Sequence, residues 1–97
     1  MATPKMIALM EKAATDLLEK ILPENFTSVG ISLNIQHTAP TPTGMKIFAE
    51  AEIIEVSGRK ILFEVSAKDE VGEIGRGKHE RFIVDRKKFQ EKADSKR

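Results

Sequence analysis

The chain has 97 residues, a formal net charge of +1, 40% hydrophobic and 32% charged residues, and no cysteine. That is the length of one small domain with the balance of a soluble protein; near-neutrality argues against nucleic acid as a partner, and the missing cysteines remove disulfides, thiolate nucleophiles and cysteine-bound metals. No apolar run approaches the roughly 18 residues of a spanning helix, and the N-terminus lacks a signal-peptide pattern, so the expectation is a cytoplasmic protein with no membrane partner.

The first element reads as a helix. Thr3 can cap it and Pro4 suits the first helical position. In "KMIALMEKAATDLLEKI", Met6, Ile7, Met10, Ala13, Ala14, Leu17, Leu18 and Ile21 fall on one broad arc, and Pro23 ends the run. Four strands follow. In "TSVGISLNIQH", Val29, Ile31, Leu33, Ile35 and His37 alternate with polar or small residues. "APTPTG" cannot continue a strand, because Pro40 and Pro42 donate no hydrogen bond. "MKIFAEAEIIEV" puts Met45, Ile47, Ala49, Ala51 and Ile53 on one face, Ser57 and Gly58 suggest a hairpin turn, and "RKILFEVSAKD" groups Ile61, Phe63, Val65 and Ala67. "DEVGE" is a second turn and "GRGKHERFIVD" the last strand. One amphipathic helix followed by an antiparallel meander implies an α+β domain over residues 1–97, the helix covering one sheet face. Residues 86–97 carry six Lys or Arg against two acids and read as a basic, frayed tail.

The chemistry concentrates at few positions. His37 and His79 are the only histidines. No His or carboxylate spacing suits a metal, and the serine-nucleophile and P-loop patterns are absent. Gly72, Gly75 and Gly77 fail the dinucleotide pattern, and no helix follows them to supply a phosphate site. In an extended strand Gly75, Gly77 and His79 share one face; the glycines then mark a bulge, or leave space beside the imidazole for a ligand or another backbone. Glu11 lies at the margin of the helix's apolar arc, either as a rim glutamate reaching water or as a desolvated, more basic carboxylate.

Taken in order, "ATPKMIALMEKAA", "HTAPTPTGMKIFAEAEI", "GRKILFEVSAKD" and "GEIGRGKHERFIV" resemble hotdog-fold acyl-CoA thioesterases, in particular the fluoroacetyl-CoA thioesterase-like branch. The resemblance implies a long helix wrapped by a curved antiparallel sheet of about four strands, paired into a homodimer or higher assembly. It implies thioester hydrolysis at the subunit interface by Thr3, Glu11 and His79. Gly72 would offer its N–H to the thioester carbonyl, with Gly75, Gly77 and His37 as further substrate contacts. Coenzyme A enters as part of the substrate and no cofactor is expected. Family members carry roughly one further strand and its loops ahead of the "ATP" stretch, which here begins at residue 2; selectivity for the fluorinated substrate is not carried over with it. A non-catalytic hotdog module that binds acyl-CoA or a protein partner is the alternative expectation.

Overall fold

The structure is a computed structural model that describes residues 2–41 and 44–95, the side chains of residues 2 and 3 excepted. Helix α1 spans Ala2–Ile21. Thr3 therefore lies inside the first turn instead of preceding it as a cap, and its side chain lies outside the described residues. Met6, Met10, Ala14 and Leu18 are fully buried. Their four-residue steps make one stripe along the helix. Ile7, Leu17 and Leu22 flank it, while Ile21 is 59% exposed, so the covered arc is narrower than the apolar one.

The strands are β1 (Phe26–His37), β2 (Phe48–Ser57), β3 (Lys60–Lys68) and β4 (Glu73–Asp85). They form one antiparallel sheet in the order β1-β4-β3-β2. The meander expectation thus holds for β2, β3 and β4 and fails for β1, which pairs with β4 at the far edge. The proline-bearing connection after His37 carries the chain from one edge of the sheet to the other. Between β2 and β3 the loop residues are Gly58 and Arg59, one position later than expected, with Gly58 at φ 61°. That left-handed conformation suits a residue without Cβ.

β3 alternates as the sequence predicts. Ile61, Phe63, Val65 and Ala67 are buried against α1, and together with Ile74 they complete the core. Burying each large apolar side chain contributes about 1.5–3 kcal/mol. The register of β1 shifts between Gly30 and Ser32, leaving Ile31 without a cross-strand partner. A bulge of this kind inverts the alternation. Leu33, Ile35 and His37 share the helix-facing side with His79, Gly77 and Gly75. Ahead of the bulge it is Ser28 and Gly30 that face inward, opposite Ile83 and Arg81, and Val29 turns outward with Phe82.

The basic tail begins with a second helix. Arg86–Asp94 form α2, whose N-cap Asp85 accepts the Lys88 N–H at 3.0 Å, although α2 buries none of its residues.

Candidate active site

The β1–β4 ladder positions both histidines. His79 is 1% exposed, beneath α1 and beside Phe63, with the two ring centroids 6.2 Å apart. Its Nδ1 lies 2.8 Å from the Ser32 carbonyl oxygen and therefore carries the proton. Its Nε2 faces Arg81 Nη1 at 3.3 Å and accepts from it. Both ring nitrogens are thus engaged within one chain.

Arg81 completes this cluster and is a residue that the sequence reading did not single out. Its Nε donates to Ser28 Oγ at 2.8 Å and its Nη2 to the Ser28 carbonyl at 3.0 Å. Burial pushes the guanidinium below its ordinary value, and the negative charge of Glu11 acts in the opposite direction. Counting two steps along β4 from His79 would have put an arginine on the helix-facing side. Its partner Ser28 was hidden by the bulge. Gly30 closes this cluster, since a Cβ there would lie 3.4 Å from Arg81 Nη1 and 3.5 Å from His79 Cε1.

Glu11 is half-buried on α1, and its own carbonyl accepts the Thr15 hydroxyl at 2.8 Å. Among the described residues its carboxylate makes no hydrogen bond to His79. What links them is Arg81, on which the Glu11 charge acts and which donates to the imidazole.

His37 differs from His79 in exposure. It is exposed at the end of β1, opposite Gly75. Just beyond it, the Thr38 N–H donates to the Ile74 carbonyl at 2.8 Å and holds the strand end in place. A Cβ on Gly75 would lie 2.5 Å from Met6 Sδ, so the N-terminal part of α1 rests on this end of the ladder. His37 and the first turn of α1, which holds Thr3, therefore belong to one end of the molecule.

The positions a Cβ would take on Gly75 and Gly77 are already occupied. The volume at Gly75 is filled by Met6. A Cβ on Gly77 would run into the Asn34 carbonyl and lie 2.8 Å from Ile35 Cα, so this glycine serves the close approach of β1. Gly72 is engaged in the β3–β4 turn. Its N–H donates to Asp69 Oδ1 at 3.0 Å and its carbonyl accepts the Asp69 N–H at 2.9 Å. The Val71 N–H donates to the same carboxylate oxygen at 2.8 Å. These N–H donors, Gly72 first, hold the Asp69 carboxyl below its ordinary value. The Gly72 N–H is thus engaged within the turn. Among the described residues no three metal-ligating side chains come together, and no helix is long and apolar enough to cross a membrane.

The comparisons with known proteins agree with this architecture. The curated fluoroacetyl-CoA thioesterase of Streptantibioticus cattleyicolor is 39% identical over 95 residues, spanning 98% of this chain and 68% of that protein. A crystal structure of a mutant fluoroacetyl-CoA-specific thioesterase in complex with fluoroacetate and CoA superposes with a TM-score of 0.82 at 39% identity, over 90% of this chain and 70% of that one. A hot-dog-like protein from Thermanaerovibrio acidaminovorans gives 0.91 at 25% identity, over 99% and 71%. The sheet wrapped around α1 is the hotdog fold. With residues 1–87 matching the family model described as fluoroacetyl-CoA-specific thioesterase, the chain belongs to that thioesterase family.

Proposed function

We propose that this chain hydrolyses a short acyl-CoA thioester to the free acid and coenzyme A, acting as a cytoplasmic homodimer with Glu11, His37 and Thr3 as its reacting set. The observation that carries the choice of histidine is the contrast in access. His79 is 1% exposed, whereas His37 is exposed at the end where α1 begins. Glu11 takes a proton from the attacking water, whose oxygen bonds to the thioester carbonyl carbon. The carbonyl oxygen becomes an oxyanion. The C–S bond then breaks as His37 protonates the departing thiolate, and exchange with solvent resets both groups. First-turn N–H groups of α1 have no intrahelical acceptor and sit at the positive end of the helix dipole, which suits them to the oxyanion in place of Gly72. Thr3 orients the acyl group from the same turn. His79 and Arg81 are positioning residues.

A second subunit completes the set. Within one chain Glu11 is displaced from the His37 end, since it lies five residues, about 7.5 Å of helix axis, beyond the Met6 that reaches Gly75, the partner of His37. β1 is an edge strand of 12 residues whose outer N–H and C=O groups are open to pairing. Antiparallel pairing of two such edges about a two-fold axis runs His37 of one subunit toward the Gly30–Arg81 end of the other, and so toward the partner's Glu11.

A free-thiol assay across acyl-CoA chain lengths, fluoroacetyl-CoA included, tests the activity. Thiol release is expected from the parent, with kcat lowered about 100-fold or more in Glu11→Gln. Parent rates in both Glu11→Gln and His37→Ala would refute the assignment. Binding of a non-hydrolysable acyl-CoA without any turnover would make the chain a binding module.

A further inference from the structure

The outer face of the sheet, away from α1 and both histidines, carries a second feature. α2 leans back over the end of β4 and leaves an open cavity of about 560 Å3 with Phe82, Val84 and Phe89 along its floor. That volume lies within the range of single small-molecule sites, about 300–1,000 Å3. Phe82 and Phe89 remain 39% and 45% exposed there. Arg59, Lys88 and Lys92 stand around the rim. The five ion pairs of the described surface join Lys12, Lys60, Lys68, Arg76 and Lys78 to carboxylates elsewhere, and none involves these three cations. Asp85, the one carboxylate lining the cavity, is occupied in capping α2.

Lys88 and Lys92 lie one helical turn apart on the same side of α2, where like charges repel by a few tenths of a kcal/mol. Arg59 is held at the opposite rim, its guanidinium carbon 6.0 Å from the Phe26 ring centroid. An apolar floor ringed by three cations without carboxylate partners complements a ligand with one anionic head and one apolar chain. We propose that this groove binds a single-chain fatty carboxylate, with the chain over Phe82, Val84 and Phe89 and the carboxylate among Arg59, Lys88 and Lys92. The site is separate from the thioester site and stands whether or not the chain hydrolyses acyl-CoA.

The test is calorimetric titration of the full chain with dodecanoate, dodecanol and acetate, accompanied by amide chemical shifts. Dodecanoate is expected to saturate in the micromolar range, with dodecanol and acetate at least about tenfold weaker. Shifts should concentrate at Val84 and Phe89. A Lys88→Gln/Lys92→Gln variant, on an exposed face of α2, should keep the parent melting temperature and lose about tenfold in affinity. Glu11→Gln should bind as the parent does. Equal binding of dodecanol, parent-like affinity in the double variant, or loss of binding in Glu11→Gln would each overturn the proposal. So would sedimentation in which Phe89→Glu splits an assembly, since the groove would then be a protein interface. Binding to phosphatidylglycerol vesicles without binding to monomeric dodecanoate would overturn it as well.

Discussion

His37 and His79 lie on the same inner face of the β1–β4 ladder, opposite Gly75 and Leu33 respectively, yet their surroundings are opposite. His79 is enclosed by Phe63, the Ser32 carbonyl and Arg81, and holds the strand where it bulges. His37 stands at the strand end near the first turns of α1, exposed to whatever approaches that edge. What separates them is cover. Identical alternation yields a buried polar anchor beneath the helix and an exposed imidazole at the strand end.

Exchanging each imidazole for a methyl group should separate these roles. His37→Ala is expected to lower kcat about 100-fold or more, with its melting temperature close to the parent's. His79→Ala should do the reverse. Removing a buried side chain and stranding Arg81 should cost about 2–4 kcal/mol, or some 4–8 °C of melting temperature per kcal/mol in a domain this size. Thiol-release kinetics below the melting range and thermal unfolding at one protein concentration check both. A catalytic collapse in a fully folded His79→Ala would break the comparison.

The glycines beside the histidines give a smaller, graded effect. Gly77→Ala drives a Cβ into the backbone of β1 and should destabilise by about 2 kcal/mol or more. Gly75→Ala meets the flexible end of Met6, which can swing aside, and should cost less. Urea midpoints of the two variants rank them, and the opposite order would sink the packing account of β1.

The smallest effect concerns acid. The Asp69 carboxyl is lowered in the folded chain by the Gly72 and Val71 N–H groups, so its contribution is present above the unfolded value, about 3.9. It is lost as pH falls through the lower folded value. Asp69→Asn should therefore unfold with a shallower dependence on pH below about 4. An unchanged acid limb would show that the turn does not hold its carboxylate in the folded state.

Local patterns made much of this legible. The α1 stripe, the β3 alternation and the turn around Gly58 follow from spacing within ten or so residues. The placement of β1 beside β4 does not, because it joins residues about fifty apart, and the bulge at Ile31 has no local signature. For that reason Ser28 could not be foreseen as the Arg81 partner, nor could the burial of His79. Asp69 shows the same limit at short range: "DEVGE" read correctly as a turn, but not as one that consumes the Gly72 N–H. In the tail, charge was legible and the helix was not, since Asp85 caps a segment without an apolar stripe.

The central claim, that Glu11 and His37 meet only across two subunits, is tested most directly by mixing. Glu11→Gln and His37→Ala proteins, each inactive alone, are unfolded together, refolded at equal concentration and assayed for thiol release from acyl-CoA. A site shared across a two-fold axis leaves one intact site in each mixed dimer, so roughly a quarter of parent activity should return. No recovery, in a mixture shown by native mass spectrometry to contain mixed dimers, would contradict the account and return both residues to a single chain.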